Sequence, residues 1–450
     1  MRTNEHPGVA LEPLSVVEDC VLPLFAESRD ELVELVGELI ACDTTAREPG
    51  EGPRDEERLQ RILAGRLRAI GADVDLWEPA PIAAGHPFGI SPGLDFHGRP
   101  QLAARVPGTG GGRSLLLNGH VDAVDVASQE GWSSDPFAAH LRDGFLYGRG
   151  AADMKGGLAA LVIAIETLHR ADVRLRGDIV LCANTDEESS GAGGWAAVEH
   201  GVSADAGICG EPTGFNAWTA CRGATTGVLR VRGRAGHAEL PQPDWRQGGA
   251  VNAIEKALPL IQSMTHLREQ WRTDGEQRHP LLSAGAIVPT IVRGGTWSVI
   301  YPDSCEVVCD LQYLPGRVDA TCSGRLVQQE VMDCVGAVAA QDPWLVEHPP
   351  EWQWIDDCPP AEVSADHEIV ATVLDVARDL GREGRVAGLD SWHDAATFTL
   401  LGHTPTISFG PGGFETAHAV DERVPVDDLV DYSAAIALTL LRWCGVARQT

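Results

Sequence analysis

Basic residues are scarce in this chain: 35 Lys and Arg stand against 65 Asp and Glu, a formal charge of −30. Such a balance argues against nucleic acid and anionic membrane surfaces as partners, because a polyanion would be repelled. Long hydrophobic runs are missing as well. No uninterrupted apolar stretch approaches the roughly 20 residues that span a bilayer. The opening MRTNEHPGVALEPLSV has no charged leader followed by an apolar core, so no secretory signal is expected. Patterned cysteines are lacking too: the 11 Cys are scattered and odd in number, and Cys305 and Cys309 are the only close pair. With no second pair and no neighbouring His, a zinc knuckle is not expected, and reduced thiols in the cytoplasm are the simpler reading.

What remains is a chain of 450 residues, long for one domain and comfortable for two, with 44% hydrophobic residues and 50 Gly. Such a chain buries large cores and turns tightly between elements, as α/β proteins do. The surplus acid is mostly solvated surface, and only a few carboxylates belong to a site.

Those few follow a pattern. The stretch SLLLNGHVDAV delivers His120 and Asp122 at the end of an apolar run, Leu115 to Leu117, that reads as a buried parallel strand. Residues two apart on an extended chain share a face, so Asp122 can orient the His120 ring by accepting its distal proton. Asp153, in LYGRGAADMKGG, stands at the mouth of the helix expected over Gly156 to His169, where the positive helix end favours it. Two further strand-like runs end in acids: DIVLCA leads to Asp186, Glu187 and Glu188, and AGIC leads to Glu211. A last run, Pro405 to Phe409, leads to His418. In an open α/β sheet ligands bind at the carboxyl ends of the strands, so these groups should gather at one edge. Acids brought together repel unless a cation neutralises them, and His with Asp or Glu is an ordinary set for zinc. A carboxylate with both oxygens available can bridge two ions about 3.5 to 4 Å apart.

GHVDAV, GRGAADMKGG, TDEESSGAGG, GEPT and HAVDE, in that order, resemble the family that contains acetylornithine deacetylase, succinyl-diaminopimelate desuccinylase, aminoacylase and glutamate carboxypeptidase. The resemblance covers nearly all of the chain after about residue 30. It implies two zinc ions bridged by Asp153, with His120 and Glu211 completing one set and Glu188 and His418 the other; cobalt or manganese could take the same donors. By the same match Glu187 is the general base and Asp122 orients the first histidine.

The fold expected is α/β: a discontinuous catalytic domain, residues 1–216 and 339–450, with a mostly parallel sheet flanked by helices, and an inserted α+β lid, residues 217–338. In the order of the chain, residues 1 to about 14 are expected to be loosely held, and Glu31 to Cys42 and Asp55 to Ile70 helical. The Pro- and Gly-rich loop from Glu78 to Arg99 leaves His86 and His97 facing solvent. Within the insert, Thr226 to Val231, Ser283 to Val292 and Trp297 to Tyr313 read as strands, Gln247 to Ile261 and Thr321 to Val338 as helices. After it, Trp352 to Ile355 resumes the first domain. In the resembling family the insert is a lid of four strands and two helices that commonly pairs two subunits, so a homodimer through the lid is expected. His237 matches a lid histidine that reaches the other subunit's site and helps polarise the substrate carbonyl. His393 and His403 match no ligand and read as structural.

The chain departs from its relatives in the lid strand, which has Gln312 where an Arg is usual and Val299 near the place of an Asn. Gln312 can hydrogen-bond a substrate but offers no charged fork, and Arg222 and Arg293 are the nearest replacements. The expected substrate is a small N-acylated amine or amino acid whose carboxylate is recognised weakly or is absent. The alternatives are an exopeptidase or dipeptidase using the same site and, from another class, a non-catalytic metal-binding scaffold.

Overall fold

The computed structural model describes residues 14–46, 54–82, 94–126 and 131–447. The first thirteen residues and His86 lie outside these. Nine of the described strands form one sheet. Its order is Asp73–Trp77, Gln101–Val106, Ile179–Asn184, Leu115–His120, Ala206–Cys209, Thr406–Ser408, Ala217–Cys221 and Ala361–Glu362, with Val386–Leu389 also paired to Ala217–Cys221. The central pairings are parallel, and antiparallel pairings lie toward both edges.

Leu115–His120 is buried throughout because helices cover the sheet. The helix Gly156–Arg170 is itself buried at every position from Gly156 to Leu168, apolar all round as a helix packed between a sheet and another helix must be. Val426–Cys444 packs against it. Its first turn approaches the sheet so closely that a Cβ on Gly157 would lie 2.2 Å from the Gly210 carbonyl oxygen, so only Gly fits there.

A second, antiparallel sheet runs Ala286–Gly294, Ser304–Tyr313, Gly223–Arg232, Glu351–Trp354. Along Ser304–Tyr313 alternate residues from Cys305 to Tyr313 are buried. They form a separate apolar core with the helices Ala253–Thr273 and Arg325–Ala339. The four strands and two long helices match the expected insert, but its edges move. Ala217–Cys221 hydrogen-bonds within the large sheet. Glu351–Trp354, read as a return to the first domain, pairs instead with Gly227 to Arg230 of the small sheet.

Local chemistry explains the other shifts. The helix expected from Gln247 begins only after Asn252, whose side chain accepts the Ile254 and Glu255 amides, because Gly248 sits at φ +92 and cannot be helical. The strand expected from Trp297 begins at Ser304, since Pro302 has no N–H to give a ladder. No described helix is long and apolar enough to cross a membrane.

Candidate active site

The parallel strands end at one edge, and the chemistry gathers just beyond their ends. His120 is the last residue of its strand, Glu187 and Glu188 follow Ile179–Asn184, Glu211 follows Ala206–Cys209, and His418 follows Thr406–Ser408. Asp153 comes from the wide turn Ala151–Lys155 that precedes the helix Gly156–Arg170. Its two oxygens face two imidazoles: Oδ1 is 3.0 Å from His120 Nε2, and Oδ2 is 3.3 Å from His418 Nε2. The same His418 nitrogen lies 3.2 Å from Glu188. Ligand atoms of His120, Asp153 and Glu211 all fall within 4.8 Å of one another, as do those of Asp153, Glu188 and His418. The structure therefore brings together the five residues singled out from sequence. His418 is held at φ +60, a backbone conformation that persists only where its surroundings impose it.

The orienting contacts differ from those expected. His120 Nδ1 lies 2.9 Å from the backbone carbonyl of Asp122, whose carboxylate is farther off, at 3.7 Å. That carboxylate instead accepts the amides of Glu187 at 3.2 Å and Glu188 at 3.1 Å. Asp122 thus orients the ring through its main chain and fixes the adjacent acid pair through its side chain. The turn that carries Asp153 is held by the buried Glu422, which accepts the amides of Gly150, Ala152 and Asp153 at 2.9 to 3.1 Å and pairs with Arg149. Sequence reading missed Glu422 because it follows a ligand motif without resembling a ligand. Buried Arg99 bridges Glu56 at 2.6 Å and Asp186 at 2.8 Å, which pins the loop carrying Glu187.

Burial dominates the electrostatics. It raises Glu211 to about 8, with the Asp153 charge adding to it and His120 opposing. It pushes Glu187 well above the carboxylate range, again against His120 and with help from Glu211 and Glu188. Burial would raise Asp153 too, but hydrogen bonds from His120 and His418 hold it below its ordinary range. Hydrogen bonds to Asp153 and Glu188 lift His418 to about 10. Carboxylates that keep their protons at neutral pH, interleaved with imidazoles that keep theirs, form a donor set that divalent cations would satisfy by displacing the shared protons.

Beside the donors opens a cavity of about 390 Å³, lined further by Thr226, Asp356, Trp392, His393 and Phe414. His393, read as structural, is buried in this wall, with Nδ1 2.7 Å from Ser408 Oγ. Burial lowers it to about 4, so it is neutral. Its ligand atoms also fall within 4.8 Å of those of Cys209 and Glu211. His237 is exposed on the insert and is not among the cavity's lining residues. Gln312 does not line it either, and its amide donates to Asp310 at 2.7 Å. Arg222 gives its guanidinium to the carbonyls of Asp390 and Ala284, and Arg293 pairs with Glu306, so neither replaces the missing arginine.

A family model described as peptidase family M20/M25/M40 matches residues 116–442. The chain is 29% identical over 451 residues to N-formyl-4-amino-5-aminomethyl-2-methylpyrimidine deformylase of Halalkalibacterium halodurans, covering 97% of this chain and 99% of that one. It is 28% identical to acetylornithine deacetylase of Proteus mirabilis, covering 87% and 91%. Among solved structures, a tripeptidase from Staphylococcus aureus matches with a TM-score of 0.69 at 20% identity, over 92% of this chain and 98% of that one.

Proposed function

The chain belongs to peptidase family M20/M25/M40 and is a hydrolase of amide bonds, and from that premise we propose that it removes a small acyl group, formyl foremost, from the nitrogen of a primary amine. The observation that carries the reading is Asp153, whose two oxygens each face an imidazole. A carboxylate so placed suits two cations, one with His120 and Glu211 and the other with Glu188 and His418. Zinc fits these donors, and cobalt or manganese would take them too. Ions bound there would supply Lewis acidity, drawing the pKa of a water toward neutrality and polarising the amide carbonyl.

The residues of the chain do the rest. Glu187 takes a proton from the attacking water and returns it to the departing nitrogen. Asp122 keeps the Glu187 and Glu188 backbones in register, so that one side chain faces the reacting atoms and the other the donor set. The eleven thiols are unpaired in the fold, which supports a reducing compartment, the cytoplasm.

Formyl is favoured because a relative matched over 99% of its length is a deformylase, and the N-formyl-4-amino-5-aminomethyl-2-methylpyrimidine in its name has no carboxylate. The cavity agrees: no Lys or Arg is among its described lining residues. The same feature weighs against peptides, which carry a terminal carboxylate. A panel of N-formyl-4-amino-5-aminomethyl-2-methylpyrimidine, N-acetylornithine, N-succinyl-diaminopimelate and dipeptides, offered to the zinc-loaded protein, tests the reading. The formamide should lead by about tenfold or more in kcat/KM. Faster turnover of the dipeptides would move the protein to the exopeptidases.

His237 has a role only if a second copy supplies it. The insert offers a surface for that copy: Trp297 and Val292 are 70% and 54% exposed, and Leu240, Ile291 and Ile300 stand out as well. Ile300 bridges to His237, and Ala286–Gly294 is the edge strand of the small sheet, paired on one side only among the described residues. We read this face as the seat of a homodimer. Light scattering should give twice the chain mass, and Trp297→Glu with Val292→Lys should give monomers that keep their metal and lose most activity. A fully active wild-type monomer would refute this role of His237.

A further inference from the structure

The cavity has a second wall that amide hydrolysis itself does not use. Asp356 lies in it, outside the donor set, and is anchored to the strand Gly223–Arg232. Its Oδ1 accepts the Thr226 amide at 2.5 Å, and its backbone carbonyl accepts the Thr225 hydroxyl at 2.5 Å. A carboxylate has about four acceptor sites, so this anchoring leaves acceptor capacity while fixing the direction of the side chain. Ala224, Leu389 and the rings of Trp392 and Phe414 line the same cavity. Trp392 is seated by Gly191, at φ +69, where a Cβ would lie 2.4 Å from the indole. The indole N–H is buried and has no partner. Phe414 is held edge-on to Trp218, with centroids 5.9 Å apart.

The cavity thus holds one oriented carboxylate and two aromatic rings, with no Lys or Arg among its described lining residues and both candidate arginines engaged elsewhere. A substrate carboxylate would meet like charge there, in a medium that screens it poorly. An amino group on a flat ring would find an acceptor whose burial makes the bond stronger than in water. We propose that Asp356 is the specificity-determining residue of the site, accepting hydrogen bonds from the amino group of a carboxylate-free heteroaromatic amine whose ring packs on Trp392 and Phe414. The proposal rests on the deacylase reading of the same cavity and adds to it the chemical class of the amine.

The test compares metal-loaded wild type, Asp356→Asn and Asp356→Ala on two formamides: the formylated aminomethylpyrimidine and N-formylbenzylamine, which has no ring donor. Calorimetric binding of the deformylated aminopyrimidine is measured in parallel. Wild type should prefer the pyrimidine by about tenfold or more. Asp356→Ala should lose most of that preference through KM, leave N-formylbenzylamine within a few-fold, and bind the free amine correspondingly more weakly. Asp356→Asn, which keeps an acceptor and the Thr226 bond, should fall between. Unchanged preference and unchanged amine affinity in both variants would overturn the proposal. So would an equal loss on both formamides with metal retained, which would make Asp356 structural. If wild type cleaves neither formamide, the deacylase reading fails instead, and the amine titrations still decide whether Asp356 recognises the ring.

Discussion

Glu187→Gln is expected to lower kcat by about 10²- to 10⁴-fold while the metal content stays as in the wild type. The substitution keeps the size of the side chain and the backbone amide that Asp122 accepts at 3.2 Å. It removes only the capacity to take up and release a proton. Glu187 belongs to neither of the two close donor sets built on Asp153, so no cation should be lost with it. KM should change little, because the proton moves after the substrate is bound. A variant with near-normal kcat would take Glu187 out of the role of base. One that lost metal along with activity would make it a ligand.

Removing the metal should destabilise the protein, and more at pH 8 than at pH 6.5. In the metal-free fold Glu211 is raised from 4.5 to about 8, so the folded state holds a proton that the unfolded chain has released, and stability falls as pH rises between these values. His418, raised from 6.5 to about 10, works in the same direction: its stabilisation is complete below 6.5 and is lost as pH rises through 10. His393, lowered to about 4 from 6.5, and Lys155, lowered to about 8 from 10.5, act oppositely, but outside the window from 6.5 to 8. Metal binding displaces the shared protons and strengthens with pH. At a hundredfold excess over Kd it adds about 3 kcal/mol. Thermal unfolding with and without chelator at the two pH values reads the difference. A gap that stays constant or narrows at pH 8 would contradict this picture of the site.

The donors were legible in the sequence because His120, Glu188 and Glu211 lie at or just beyond the end of an apolar run, and Asp153 and His418 follow short strands within about ten residues, in recognisable motifs. The lining of the cavity was not. Asp356 comes from the segment after Glu351–Trp354, and Trp392 and His393 from the one after Val386–Leu389; neither carries a ligand pattern, and only strand pairing across the two sheets brings them to the site. Which sheet takes Ala217–Cys221 or Glu351–Trp354 is likewise decided by long-range partners. Asp122 shows a finer limit. Its spacing from His120 announces a contact, yet which of its atoms meets the ring is settled by the Glu187 and Glu188 amides competing for its carboxylate. The family resemblance held because it rests on the motifs, where the information is local.

The central claim is that Asp153 bridges two cations. Anomalous diffraction at the zinc edge from crystals of the zinc-loaded protein tests it most directly. Two peaks about 3.5 to 4 Å apart, one beside His120 and Glu211 and one beside Glu188 and His418, are the expected result. A single peak, or peaks away from Asp153, would contradict it.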